Sequence, residues 1–308
     1  MSTDRRVDVS TALVNDAVQC ANAFRRRALQ ACAATVLAAE PFGDEATARA
    51  ALEGRVSDRV MKRIVELLSA DAEASKASVV QQLMSVTCIG RVAALRLAAL
   101  GVGSLDALAS RIDDPELALT PAQKLCVEHR HDIAARIPRA EMNRHAAVIE
   151  EAAVQAAVEV HVVGSYRRNA DSSGDVDVLL VGDMDSLLAP LFAGGYVVGT
   201  IARGGCKFNG IVRLPGADVA RRLDVLRTTP EELPFAMLHF TGPDVYNMAL
   251  RRVAIAAGKR LSEKGWGSVR PDSAPPKTEA EVLHALGVEY QLPQDRCATL
   301  TLLRPSPP

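Results

Sequence analysis

Apolar positions in the first part of the chain recur at the spacing of a helix. Over residues 8–38, Val9, Ala12, Leu13, Ala17 and Cys20 form one stripe, and Leu29, Ala33, Val36 and Leu37 form a second. A period of about 3.6 residues predicts helices with one buried face. Pro41-Phe-Gly-Asp44 interrupts the pattern, and helices resume at about 45–51 and 57–69. Residues 71–78 are small, polar and charged, and read as a linker. From 79 to 136 the pattern is helical again, with turns at Gly90, Gly101-Val-Gly103 and Asp113-Asp-Pro115. Pro138 ends this block, and residues 139–159 predict one more helix.

The period then changes. Val160-His-Val-Val163 and Val176-Asp-Val-Leu-Leu-Val181 are β-branched, strand-like runs. A helix is predicted at about 185–193, and strands at 196–202, 206–214 and 221–226. After Pro230, helices at 241–257 and 279–286 alternate with short extended pieces. The pattern describes a helical first half, a mixed sheet and a small α/β tail.

Composition narrows the class. The 308 residues are 48% hydrophobic and 24% charged, the balance of a globular chain with room for more than one domain. Aromatic residues make up only 4%, so aliphatic side chains must fill the core. No apolar run approaches the roughly 20 residues of a membrane span, and the N-terminus lacks the apolar segment of a secretion signal. The six cysteines (Cys20, Cys32, Cys88, Cys126, Cys206, Cys297) form no C-x-x-C pair. That argues against a zinc site and for reduced thiols inside a cell. A net charge of −1 gives no global attraction to nucleic acid. Basic clusters at 25–27, 167–168, 221–222, 251–252 and 259–260 supply local charge instead.

One segment concentrates the chemistry. Gly164-Ser-Tyr-Arg-Arg168 follows a predicted strand, and Asp175-Val-Asp177 opens the next. A turn at Gly164 lets backbone amides approach a phosphate, and Ser165 and Arg168 have the side chains to contact its oxygens. Asp175 and Asp177 are two residues apart on a strand, so they share a face. Their mutual repulsion calls for a hard divalent cation, most simply Mg²⁺. Asp224, flanked by Leu223 and Val225, offers a third carboxylate. If its strand lies beside 176–181, the three converge and suffice for two metals in phosphoryl transfer.

Gly164-Ser followed by Asp-x-Asp resembles the motif of the nucleotidyltransferase superfamily. Three segments resemble the polymerase beta branch of it, family X: residues 164–180 through their whole length, His239-Phe-Thr-Gly-Pro-Asp-Val-Tyr-Asn-Met-Ala-Leu-Arg251, and Arg136-Ile-Pro-Arg-Ala-Glu-Met142. The resemblance implies an α+β multidomain fold. An N-terminal all-α lyase-like domain (1–76) precedes helical fingers with a helix-hairpin-helix (77–138), a mixed-sheet nucleotidyltransferase palm (139–229) and a small α/β thumb (230–308). It implies a template-directed DNA polymerase that adds dNTPs to a primer 3′ end, filling short gaps in base excision DNA repair. The catalytic metal ligands are Asp175, Asp177 and Asp224, holding two Mg²⁺ ions for which Mn²⁺ substitutes. Arg136, Ser165, Arg168 and Gly174 contact the triphosphate. Phe240 and Gly242 lie under the sugar, Asp244 lies against the base, and Asn247 reaches its minor-groove edge. Arg251 touches the template strand, Arg222 the primer phosphate and Lys207 the primer-template minor groove.

The partners implied are gapped or nicked primer-template DNA and a dNTP, with no membrane, for a monomeric protein. The compartment implied is nuclear for a eukaryotic source and cytoplasmic or virion-associated otherwise. Departures from the family pattern are His239 for an aromatic that helps exclude ribonucleotides, Pro243 for a serine, and Leu226 two residues after Asp224. His239 reads either as a determinant of sugar choice or as a hydrogen-bonded interior histidine.

Residues 86–95 resemble a helix-hairpin-helix, whose Gly-x-Gly turn grips DNA phosphate. Cys88 replaces the first glycine and Gly90 keeps the second. The resemblance implies a Na⁺ or K⁺ ion on the carbonyls of Met84, Val86 and Ile89. Residues 33–41 and 54–64 align with the family's 5′-deoxyribose phosphate lyase domain. The nucleophilic lysine position there holds Arg63, and an arginine does not form a Schiff base. Lys62 is adjacent but rotated by about 100° around the helix. Weak or absent lyase activity is therefore expected, with Arg26, Arg59 and Arg63 binding a 5′ phosphate or standing as a solvated face. Two other readings stay open: a non-templated or RNA-extending nucleotidyltransferase, and an inert scaffold that binds gapped DNA.

Overall fold

The computed structural model describes residues 4–20, 23–267 and 275–303. Residues 21 and 22, between the two predicted helical stripes, lie outside the described residues. The chain divides into two compact units, one of residues 1–85 and 89–108, the other of residues 86–88 and 109–308.

The first unit is helical: α1 (Arg6–Val18), α2 (Ala23–Leu37), α3 (Glu45–Leu52), α4 (Asp58–Met84), α5 (Arg91–Ala99) and the start of α6 (Leu105–Ser110). Most of the predicted stripe residues face its core, but Leu37 is 49% exposed. Val9, Leu13, Ala33 and Val36 pack with Phe42, Leu52 and Ile64, all buried. Asp44 and Thr47 cap the start of α3 reciprocally, satisfying backbone amides the helix leaves unpaired.

The expected linker at 71–78 is not one: α4 runs unbroken for 27 residues through it. The segment contains neither Gly nor Pro, and its alanines, glutamate and lysine are good helix formers. Small polar residues alone do not stop a helix. Beyond it, Val80 and Leu83 are buried again.

The second unit is built on a five-stranded mixed sheet in the order β2-β4-β7-β6-β5. After α7 (Pro121–Glu128) and α8 (Arg130–Ala134), the short strand β1 (Ile137–Pro138) leads into α9 (Arg139–Ala156). Then follow β2 (Glu159–Val162), α10 (Gly164–Arg167), β3 (Ser172–Ser173), β4 (Val176–Val181) and α11 (Met184–Ala193). β5 (Val197–Arg203), β6 (Lys207–Arg213) and β7 (Ala220–Thr228) complete the sheet. β4 and β7 are parallel, while β2, β6 and β5 join antiparallel.

One face of the sheet carries the main core of this unit. Val176, Val178 and Leu180 of β4 and Leu223 and Val225 of β7 pack against Met142 and Ile149 of α9 and Leu187 and Leu191 of α11. Within this layer His145 is 1% exposed, and its Nδ1 pairs with Tyr196 Oη at 2.7 Å. Burial lowers the His145 pKa to about 4, so the ring is neutral.

The tail differs from the predicted single helix at 241–257. It forms α12 (Leu233–Thr241), then a cis Gly242–Pro243 junction, then α13 (Asp244–Ala256), followed by α14 (Glu279–Ala285). Gly242 has φ +63° and Pro243 lacks an N–H, so no helix continues through them. Ala236 of α12 reaches Leu179 and Val163, covering the other face of β4. Phe235, Leu238, Tyr246, Leu250 and Leu283 form a separate cluster beneath α12, α13 and α14.

Candidate active site

The site forms where β4 and β7 lie side by side. In their parallel register Asp177 is directly opposite Asp224, and lateral partners share a face of the sheet. Asp175 precedes β4 by one residue. One oxygen from each of Asp175, Asp177 and Asp224 lies within 4.8 Å of the others. The predicted convergence is therefore present.

Its electrostatics fit a divalent cation. Burial, and then the charges of Asp175 and Asp224, raise the Asp177 pKa to about 7. Three carboxylates so placed do not all ionise at neutral pH without a counter-charge. Arg222 supplies part of it: its guanidinium pairs with Asp175, and its Nε lies 3.6 Å from Asp224 Oδ1. The donors are hard oxygens converging at a strand edge, the set that suits Mg²⁺ or Mn²⁺.

Gly164 is required by this geometry. Its φ is +60°, and a Cβ there would lie 2.3 Å from Asp177 Oδ2. Any side chain at 164 would evict the carboxylate. Beside it, Ser165 Oγ donates to Ser173 Oγ at 2.9 Å. Arg136 donates to the Ser172 carbonyl at 2.5 Å and to its Oγ at 3.1 Å. The β1–β3 pair, with Ile137 opposite Ser173, holds this arginine in place. A Cβ on Gly174 would stand 3.4 Å from the Arg136 guanidinium. Arg136, Ser165 and Gly174 thus form one polar ledge.

The α12–α13 junction adjoins the ledge. Arg168 donates to the Thr241 carbonyl at 2.5 Å. Arg167 donates to Thr241 Oγ1 at 2.6 Å and grips Glu279 with both terminal nitrogens. Arg296, its side chain fully buried, donates to Glu279 Oε1 at 2.9 Å. Phe240 and His239 meet edge to face, with centroids 4.8 Å apart. Asn247 donates to the His239 carbonyl at 2.7 Å, and an Arg251 nitrogen lies 3.4 Å from His239 Nδ1. Burial, and then the Arg251 charge, lower the His239 pKa. Both readings of His239 keep their basis: it is partly buried, and it contacts two of the predicted binding residues. Asp244 is exposed in the first turn of α13, and Lys207 is exposed at the start of β6.

Sequence reasoning missed Asn209, whose amide donates to Asp224 Oδ1. The signal was its alternation with Lys207 and Ile211, which becomes informative only once the register of β6 against β7 is known. Arg222 was assigned to a primer phosphate alone; here it also lies inside the acidic cluster.

The N-terminal predictions hold less uniformly. Cys88, standing for the first hairpin glycine, has φ +73°, so the turn keeps a glycine-like conformation with a cysteine in it. Gly90 has an ordinary φ of −78° and caps α5. A Cβ on Gly90 would meet nothing within 4 Å, so the fold does not require glycine there. Val86 and Ile89 are buried and Met84 is exposed.

In the first unit, a cleft of about 710 Å³ is lined by Asp16, Arg25, Arg59, Lys62, Arg63 and Glu66, among others. Arg25 is among these lining residues and Arg26 is not; Arg26 donates to the Cys20 carbonyl. Arg63 is bonded to Asp16 at 2.8 Å, with Glu66 at 3.7 Å. Lys62 lines the same cleft despite its rotation around the helix.

A mixed sheet carrying an acidic triad on adjacent parallel strands, beside a Gly-Ser turn, defines the palm of a nucleotidyltransferase. Two family models match it: DNA polymerase beta palm over residues 136–230 and DNA polymerase beta thumb over residues 236–297. DNA polymerase lambda of Rattus norvegicus is 31% identical over 210 residues, 58% of this chain and 36% of that protein. DNA polymerase lambda of Arabidopsis thaliana is 27% identical over 240 residues, 68% of this chain and 44% of that one. The chain thus spans less than half the length of these two relatives. Repair DNA polymerase X of African swine fever virus is 27% identical over 148 residues, 44% of this chain and 80% of the viral protein. The crystal structure of Leishmania infantum polymerase beta, a ternary P/T complex, superposes with a TM-score of 0.66 at 27% identity. That match covers 72% of this chain and 99% of the other. The chain belongs to family X, the polymerase beta-like DNA polymerases.

Proposed function

We propose that this protein is a template-directed DNA polymerase that adds dNTPs to a primer 3′ end and fills short gaps during base excision repair. The observation that carries the reading is the lateral pairing of Asp177 with Asp224, with Asp175 within 4.8 Å. Bound Mg²⁺, or Mn²⁺ in its place, would neutralise charge on the triphosphate and on the primer 3′ oxygen. The three aspartates hold the ions. Arg136, Ser165 and Arg168 bind the triphosphate along the ledge, where Gly174 leaves room for it. Phe240 and Gly242 place the sugar, Asp244 and Asn247 the base, and Arg251 the template strand. Arg222 and Lys207 take the primer-template backbone and groove.

The relatives' names, among them a repair polymerase, and the P/T complex of the Leishmania protein support DNA as the partner. Gly90, which the fold leaves free to change, suits a backbone that approaches phosphate. The first unit then takes a downstream 5′ phosphate through Arg26, Arg59 and Arg63, the last two lining the cleft together with Arg25. We further propose a monomer acting inside the cell.

The test is incorporation on a one-nucleotide-gapped duplex with a 5′ phosphate, offering each dNTP and rNTP singly. Only the complementary dNTP is expected to be added. Addition of any base without regard to template, or of ribonucleotides at comparable rates, would move the reading to a non-templated or RNA-extending enzyme, the alternative that His239 leaves open.

A further inference from the structure

The aspartates are part of a longer row. β7 has β4 on one side and β6 on the other. Asp224 is opposite Asp177 across the first boundary and opposite Asn209 across the second. Lateral partners share a face, so a single row across three strands reads Asp177, Asp224, Asn209. The Asn209 amide donates to Asp224 Oδ1, the oxygen that also has Arg222 Nε 3.6 Å away. Arg222 Nε is buried and has no hydrogen-bond partner among the described residues. Both donors therefore face the same oxygen, and no hydrogen bond from the described residues reaches Oδ2.

The residue type suits the task. A lysine at 209 would compete with a bound cation for Asp224. An aspartate would add a fourth negative charge beside three that already repel. A leucine would leave the Asp224 carboxylate without its anchor, and a terminal carboxyl torsion is broad and readily rotated. The amide of Asn209 donates to Asp224 and brings no charge.

We propose that Asn209 is a positioning residue of the polymerase reaction, holding Asp224 by one oxygen so that the other stays presented to the divalent cation. The inference rests on the metal-dependent polymerase reading above. Groups that orient metal ligands typically contribute about 10–100-fold to metal affinity or activity. Asn209→Leu keeps the size and removes the donor. Asn209→Ala removes it without new bulk and is read in the same way should the leucine variant not fold.

The experiment measures Mn²⁺ binding by electron paramagnetic resonance, on protein bound to gapped DNA with a chain-terminated primer. Steady-state gap filling in Mg²⁺ and a thermal melt are run in parallel. Mn²⁺ affinity is expected to fall about 10-fold or more. kcat should fall with it and recover as Mg²⁺ is raised, while the KM for dNTP and the melting temperature stay close to wild type. A merely structural residue would lower the melting temperature and leave Mn²⁺ affinity alone, and that result overturns the inference. Wild type that binds Mn²⁺ and extends primers, with variants that bind Mn²⁺ equally well, sinks the Asn209 assignment only. Wild type that does neither sinks the polymerase reading itself.

Discussion

Replacing Asp177 by asparagine should make the metal-free protein more stable at pH 8 while abolishing its activity. Burial and two neighbouring carboxylates raise the Asp177 pKa from 3.8 to about 7. Folding thus favours the protonated form. The group costs nothing extra below its unfolded pKa near 4, where it is protonated in both states. The cost grows as pH rises between about 4 and 7 and is complete above that. That rise in pKa corresponds to at most about 4 kcal/mol, and relaxation around asparagine brings the expected gain to about 1–3 kcal/mol. The assay is chemical denaturation in EDTA at pH 8 and pH 4, followed by fluorescence of Trp266. This is the only tryptophan in the chain, and it packs edge to face on Phe235 in the second unit. Asp177→Asn should raise the midpoint at pH 8 and leave it unchanged at pH 4. Mg²⁺ should stabilise wild type at pH 8 and the variant far less. A variant no more stable than wild type at pH 8 would refute the reasoning, because the carboxylates would then not be under mutual strain.

Gly164→Ala should cost at least 100-fold in kcat with DNA binding retained, since its Cβ would fall 2.3 Å from Asp177 Oδ2 at a φ of +60°; single-turnover extension and DNA-binding anisotropy check this. Glu279→Gln should destabilise the second unit by about 3–5 kcal/mol, the cost of stripping a partner from buried charges, because Arg296 and Arg167 both depend on that carboxylate; the Trp266 unfolding midpoint reads it. Borohydride trapping on a 5′-deoxyribose phosphate substrate should give little or no adduct, because the lyase resemblance puts Arg63 at the nucleophile position and Arg63 is tied to Asp16; a strong adduct lost in Lys62→Ala would show that Lys62 has taken over.

Much of the site was legible because its chemistry is periodic. Asp175 and Asp177 share a face by strand alternation, and Leu223 and Val225 mark Asp224 as facing away from the core. The sequence carried no statement of register, however. Asn209 became visible only when β6 was laid against β7, because a hydrogen bond between strands far apart in sequence leaves no local trace. The linker reading failed at 71–78 because polarity is a weak guide to helix ends when Gly and Pro are absent. α12 went unread for a related reason: Leu233–Thr241 is apolar nearly all round, and such a helix shows no stripe. Arg25 and Arg26 are indistinguishable by type, and only the packing of α2 decides which one lines the cleft.

The most direct test of the central claim is single-turnover filling of a one-nucleotide gap in Mg²⁺ by wild type and by Asp224→Ala, with DNA affinity measured on the same samples. The predicted result is template-directed extension by wild type, loss of at least 1,000-fold in the variant on the order expected for a metal ligand, and near-equal DNA binding by both. Extension that survives the loss of Asp224, or wild type that binds gapped DNA tightly and extends it under no divalent metal, would contradict the account and leave a DNA-binding scaffold in its place.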